Sequence, residues 1–246
     1  MKKTLQISLL VLSSILLFGG VSNAQCSGRF YDPNVFPGFW DSFLPTLPTA
    51  VQFGSAPDYQ GVTKNLSMYI FQPPNDTMAH RPLVILAFGG SFLQGLKESP
   101  DVLHLCNAFQ KRGFVTASID YRLGANPIDS LHMMMAVLRG MQDMKAAIRF
   151  IYKDALTTNT YKIDTNNIFI GGVSAGAFIG IHCAYLNDTT ILAPWMQEAL
   201  DTIGGLEGNS GNPNFSTKIK GVVNLSGAIG DTSWIKAGDP TMVSMH

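Results

Sequence analysis

Ser174 is the residue of this 246-residue chain best placed to do chemistry. It stands in Ile168-Phe169-Ile170-Gly171-Gly172-Val173-Ser174-Ala175-Gly176-Ala177, which contains G-x-S-x-G at Gly172, Ser174 and Gly176. A nucleophilic serine must project from a tight strand-to-helix turn, and small residues two before and two after it let strand and helix pack closely there. The flanks suit such a turn, with an apolar strand pattern before it and the apolar run Ala177 to Leu186 after it. A second feature lies upstream, where the apolar run Leu83 to Ala87 empties into Phe88-Gly89-Gly90-Ser91-Phe92. Backbone N–H groups of a glycine-rich turn can point at a developing oxyanion, and glycine lets a substrate come close. Taken singly, each segment also reads as a plain structural turn. Taken together they describe acyl transfer through a covalent serine intermediate, which needs no cofactor. No G-x-x-x-x-G-K-[ST] occurs, which excludes a phosphate-cradling loop. No Cys/His spacing suggests a zinc site, and no metal is expected.

The elements that must position these residues alternate in type. Leu66 to Phe71 reads as a strand stopped by Pro73-Pro74, and Leu83 to Ala87 as a strand buried on both faces. Phe114 to Ile119, Ile168 to Ile170, Val222 to Leu225 and Met242 to Met245 are further strand patterns. The clearest helix falls between Asp129 and Ala155, with Met134, Leu138, Met141, Met144, Ile148 and Ile151 on one face and Arg139, Asp143, Lys145, Arg149 and Lys153 elsewhere. Its methionines read as a core stripe rather than a promiscuous binding groove. Strands alternating with helices imply an α/β fold, a mainly parallel sheet with helices on both faces. Residues 187–217 are loop-rich and are expected to cover part of a site.

The chain is 46% hydrophobic and 14% charged, a globular composition with enough length for one core. Its 17 basic and 17 acidic residues form no basic run, so nucleic acid is not an expected partner. Residues 1–24 read as a signal peptide: Lys2 and Lys3, an apolar stretch from Leu9 to Phe18, then Ser22-Asn23-Ala24. That stretch is too short for a comfortable membrane span, no later one approaches the length needed, and a secreted or periplasmic protein is expected. Lipidation of Cys26 is the weaker alternative, because Gln25 suits it poorly. Residues 25–63 are expected to be an irregular lead-in and 64–246 the folded domain. Cys26, Cys106 and Cys183 make an odd count; a Cys26–Cys106 disulfide is expected, against three separate thiols, with Cys183 as a buried hydrophobe.

With these segments in view, the chain resembles the carboxylesterase/lipase branch of the α/β-hydrolase fold. Phe88 to Phe92 resembles that branch's H-G-G-G-F-like oxyanion loop, and Gly172 to Gly176 its G-x-S-A-G elbow, in the same order. Gly113 to Leu123 is similar to the family's fourth strand and D-Y-R-L turn, and Asp143 to Phe150 to its following helix. The resemblance implies that Ser174 attacks the carbonyl of a small-molecule ester and that the N–H groups of Gly90, Ser91 and Ala175 hold the oxyanion. It implies structural roles for Asp120 and Arg122. Phe88 departs from the usual histidine, which alters no backbone donor.

The resemblance also implies an order of serine, then acid, then histidine, the acid after a seventh strand and the base after an eighth. His182 follows Ser174 by eight residues on one helix, about 12 Å by helix rise, and reads as a packing residue. Pro240 to Met245 resembles the seventh strand, and His246 the start of an H-G-x-x-D-x-x-V-P segment. Asp188, Asp201, Asp231 and Asp239 do not follow a seventh strand. The domain is therefore expected to lack its last strand and helices, and this chain alone to turn over little ester. An α/β-hydrolase-like binding module without catalysis and a serine peptidase on the same fold are the competing readings.

Overall fold

The computed structural model describes residues 45–246; the expected leader, Cys26 and the first part of the lead-in lie outside them. Seven strands form one sheet in the order β1-β2-β4-β3-β5-β6-β7. They are β1 (Val51–Pro57), β2 (Thr63–Phe71), β3 (Arg81–Ala87), β4 (Val115–Ile119), β5 (Ile163–Val173), β6 (Gly221–Leu225) and β7 (Thr241–Met245). β1 and β2 pair antiparallel, as do β2 and β4, while every pairing from β4 through β3, β5 and β6 to β7 is parallel. The sheet is therefore mainly parallel, as the alternating pattern predicts. Its middle strands are buried almost throughout, which is why β3 reads as an apolar run from Leu83 to Ala87, while β4 also buries Thr116 and Ser118.

β1 corrects one expectation. Part of the lead-in is a strand, with Phe53 and Ala56 buried against the core. Its period is hidden because the register with β2 shifts between Gln52 and Gly54. Gly54 is required there: a Cβ would overlap the carbonyl oxygen of Ser210, and the neighbouring Ser55 N–H donates to that oxygen at 2.7 Å.

The helices among the described residues are α1 (Pro100–Gln110), α2 (Ser130–Leu156), α3 (Ala175–Tyr185) and α4 (Pro194–Thr202). α1 opens on proline at a position where no intrahelical N–H is needed, and Asp101 faces the positive end of its dipole. α2 is capped by Asp129, whose carboxylate accepts from His132 N–H at 2.9 Å. α1 packs on β3 and β4, whereas α2 and α3 pack on each other and on β5.

α2 is buried nearly all round rather than on one face. Arg139, Asp143, Lys145 and Arg149 are all covered. Segment 203–211 forms most of the cover: Gln142 donates to Gly205 O at 2.7 Å, Lys145 pairs with Glu207 at 2.7 Å, and Arg149 donates to Gly211 O at 3.0 Å, while Arg139 donates to Gly124 O at 2.6 Å. This part of the loop-rich stretch thus packs on α2. No residue of 187–217 lines the cavity at Ser174.

Arg122 and Asp143 form the ion pair at the centre of that packing. Arg122 Nε stands 2.9 Å from an Asp143 carboxylate oxygen, and the two side chains are 4% and 0% exposed. Ser210 Oγ donates to the same carboxylate at 2.6 Å, and the guanidinium also donates to Pro57 O at 3.0 Å and Gln142 Oε1 at 3.0 Å. Asp120 is held differently, accepting from Ser67 Oγ at 2.8 Å and pairing with Lys97 at 3.0 Å. Both residues serve the fold.

Cys106 lies on the buried side of α1 with no exposed surface, and Cys183 is a buried residue of α3, as expected of it. Burial pushes the pKa of each thiol up to about 12. The bridge expected between Cys26 and Cys106 has one half outside the described residues.

Asp143→Ala leaves the Arg122 guanidinium buried without a counter-charge. We expect it to lower the unfolding free energy by about 3–5 kcal/mol in urea titrations, with Asp143→Asn costing less. A loss under about 1 kcal/mol, the range of an exposed pair, would show that the pair is solvated.

Candidate active site

The turn between β5 and α3 has no room for side chains. A Cβ at Gly172 or at Gly176 would overlap the carbonyl oxygen of Ala87, and at Gly176 it would also stand 2.9 Å from Phe88 O. Strand β3, strand β5 and helix α3 thus meet backbone to backbone. The chain escapes through Ser174, which adopts φ 50° and ψ −116°. For a residue with a Cβ this is a strained conformation, of order 1–3 kcal/mol, and it persists because its surroundings impose it. Ser174 N–H donates to Leu225 O at 2.8 Å, which ties the turn to β6. The side chain makes no capping bond to its own helix and is exposed.

The glycine-rich loop after β3 faces this serine. A Cβ on Gly89 would stand 3.4 Å from Ser174 Cβ. Gly90, Ser91 and Phe92 have φ of 127°, 54° and 62°. A left-handed run of this kind turns successive N–H groups to one side. Leu93 and Gln94 N–H close the turn onto Gly90 O at 3.0 and 3.2 Å. Among the described residues the N–H groups of Gly90, Ser91 and Ala175 have no protein acceptor. The structure therefore places Ser91 and Ala175 at one cavity with Ser174, while Gly90 stands in the same loop without lining that cavity.

Two supports were not legible in the sequence. Asp101, in the first turn of α1, accepts from Gly89 N–H at 3.3 Å and fixes the base of the loop. Phe88, where the resemblance leads one to expect histidine, turns into the core and stacks on Tyr121 with ring centroids 4.4 Å apart. Tyr121 donates its hydroxyl to Phe88 O at 3.0 Å, and burial raises its pKa so that the proton stays. An aromatic residue here anchors the loop from below and leaves its N–H groups alone.

The cavity beside Ser174 has a volume of about 360 Å³. Met133, Met134 and Val137 of α2 form one wall, Phe92 and Phe178 another, and Ile229 and Gly230 a third. Met134 of the expected core stripe thus lines the cavity together with its neighbour Met133, while Met141 and Met144 fill the core.

No histidine completes the serine. His182 lies at the same cavity, but its Nδ1 is 2.8 Å from Phe178 O and its ring packs edge-on to Trp234. His246 Nε2 is 2.9 Å from Ser244 Oγ beyond β7. His132 pairs with Asp129 at 2.8 Å, on the side of α2 opposite Ser130, Met133 and Val137 by helical phase. His104 is exposed on α1, and His80 precedes β3. Among the described residues no three histidines, cysteines or carboxylates are grouped to hold a metal.

The BD-FAE family model matches residues 68–242, from β2 into β7 and across both site loops. The chain belongs to the BD-FAE family. This places it in the α/β-hydrolase class that the two loops resemble. Among solved structures, this BD-FAE chain is similar to Thermogutta terrifontis esterase 2 phosphorylated by paraoxon, at 20% identity over 81% of this chain and 71% of that one, with a TM-score of 0.58. It is also similar to the apo form (20% identity, 82% and 73% covered, TM-score 0.58) and to the propionate-bound form (20%, 81% and 72%, 0.55). At that identity the likeness carries the fold. No curated protein sequence matches the chain.

Gly176→Ala puts a methyl group into the Ala87 carbonyl. We expect a loss of stability at the upper end of the about 1–3 kcal/mol typical of overpacking. Thermal melting of Gly176→Ala beside Gly205→Ala checks it: at Gly205 a Cβ meets nothing within 4 Å, and only the left-handed φ of 71° is penalised, by about 1–2 kcal/mol. A loss at Gly176 no larger than that at Gly205 would deny the close crossing.

Proposed function

We propose that the chain is a serine hydrolase of carboxylic esters acting through an acyl-enzyme on Ser174. The observation that carries this reading is the strained, exposed Ser174 facing N–H groups with no protein acceptor across an apolar cavity. Such strain is retained where the surroundings impose it, and a serine held clear of its own helix is available to attack. Donors left open in the resting state cost nothing to reorganise when charge develops on the carbonyl oxygen. The apolar walls suit a small-molecule ester rather than a charged substrate. The paraoxon adduct of the Thermogutta terrifontis esterase supports the choice of probe.

We expect this chain alone to turn over little ester. Serine is a weak nucleophile without a base in hydrogen-bond reach, and among the described residues no histidine bonds to Ser174: His182, at the same cavity, is bonded to Phe178 O instead. That observation favours one alternative, a hydrolase-fold binding module that holds an ester or acid without cleaving it. Export to the periplasm or exterior remains part of the proposal, resting on the sequence of residues 1–24.

The test is adduct formation. Paraoxon or a fluorophosphonate should add one phosphyl group to Ser174, seen by peptide mass, and none to Ser174→Ala. The 246-residue chain should hydrolyse p-nitrophenyl acetate only feebly, since general-base assistance contributes about 10²–10⁴-fold. No adduct on Ser174 under prolonged exposure would favour the binding module.

A further inference from the structure

Two consecutive residues of the loop after β3 hold a backbone that side chains resist. Ser91 and Phe92 have φ of 54° and 62°. They follow Gly90, where a Cβ would overlap Gln94 O. Left-handed backbone at residues with a Cβ persists only where the surroundings impose it. The bonds that Leu93 and Gln94 N–H make inside the loop both end on Gly90 O. The carbonyls on either side of Gly89, Gly90 and Ser91 are gripped from elsewhere. Phe88 O accepts from the Tyr121 hydroxyl at 3.0 Å, and Phe92 O accepts from Gly124 N–H at 2.7 Å. Both grips come from one segment, 121–124, which follows β4.

The same segment holds the loop by its rings. Tyr121 stacks on Phe88 with centroids 4.4 Å apart and meets Phe92 edge-on at 6.1 Å. All three side chains are buried. One ring therefore touches both residues that bracket the open N–H groups. The segment is itself anchored to α2, because Arg122 N–H donates to the Asp143 carboxylate at 2.8 Å and its guanidinium pairs with the same group. Phe92 and Ser91 line the cavity with Ser174, whereas Tyr121 does not.

We propose that Tyr121 is a positioning residue, which holds the loop in the left-handed conformation that keeps Ser91 N–H ready for a carbonyl oxygen at Ser174. The proposal rests on the esterase reading for the identity of that acceptor. Tyr121 acts through Phe88 O and the Phe92 ring and touches no substrate. A donor is useful only within hydrogen-bond distance of the oxygen that becomes charged. Releasing Phe88 O lets Ser91 and Phe92 relax out of their strained backbone, which swings the peptide N–H away.

Tyr121→Phe tests this, because it keeps both ring contacts and removes only the hydroxyl. Tyr152→Phe is its control, removing a buried hydroxyl that bonds Thr165 O and Lys218 O instead. Each full chain is exposed to a dialkyl fluorophosphate and to its thiophosphoryl counterpart, and the adduct on Ser174 is timed by peptide mass. In both reactions Ser174 Oγ bonds to phosphorus, fluoride leaves and the hydroxyl proton passes to solvent. Sulfur accepts hydrogen bonds weakly, so the ratio of the oxygen rate to the sulfur rate reads the donors. A general loosening of the protein lowers both rates alike and leaves the ratio. We expect the ratio to fall about tenfold in Tyr121→Phe, as for a displaced donor, and to keep its wild-type value in Tyr152→Phe, although both variants melt lower. No adduct on the wild-type chain overturns the esterase reading and this proposal with it. An adduct whose rate ratio is unchanged in folded Tyr121→Phe, or falls equally in Tyr152→Phe, overturns this proposal alone.

Discussion

The carbonyl oxygen of Ala87 is the point on which the site depends. It lies at the end of β3, and both Gly172 and Gly176 press against it. Neither position accepts a Cβ, so β5 enters and α3 leaves through one crowded crossing. The residue between them must take up the whole change of direction, and Ser174 does so at a positive φ. Exposure of Ser174 is therefore a by-product of backbone packing. The next residues along from Ala87 form the loop that faces it, so the same close contact sets the separation of Ser174 from the N–H groups of that loop. Gly89 lies against the serine because its strand does.

That crossing needs a stiff frame, and the frame is unusually polar. α2 carries Arg139, Asp143, Lys145 and Arg149 under cover, and Arg122 reaches across from the end of β4 to Asp143. Buried pairs of this kind contribute little net stability over an apolar equivalent, but they tolerate few alternative arrangements. Here one carboxylate joins the β4 turn, α2 and Ser210, while the guanidinium adds the end of β1. Residues distant in sequence are thereby held in one register. This is also why segment 203–211 lies on α2 instead of over the cavity.

The sequence was most legible where a short segment decides its own structure. The run from Ile168 to Ala177 contains its strand, its glycines and its serine, and the observed turn follows from them. The parallel order likewise follows from continuous apolar runs separated by helical ones. What stayed hidden depends on partners remote in sequence. β1 is disguised by a shifted register, and its glycine answers to Ser210. The polar positions of α2 give no sign that a loop from residues 203–211 will cover them. Asp101 supports Gly89 from another element, so no local pattern announces it.

Charge around the serine explains how an acid so near the oxyanion loop is tolerated. Asp101 sits in the first turn of α1, where the unpaired N–H groups and dipole offset its negative charge. Asp101 Oδ1 also accepts from Val102 N–H at 2.9 Å, while Oδ2 takes Gly89 N–H. Both oxygens thus hold backbone hydrogens, which localises the charge below the loop. The other side of the cavity receives the N-terminus of α3, with Ala175 N–H left open. Two helix starts therefore act in different ways at one site: α1 quiets the acid that holds the loop, and α3 leaves its positive end open at the cavity. On the reading proposed above, it is the α3 terminus that would stabilise charge developing on a bound carbonyl, through backbone alone and before any base is considered.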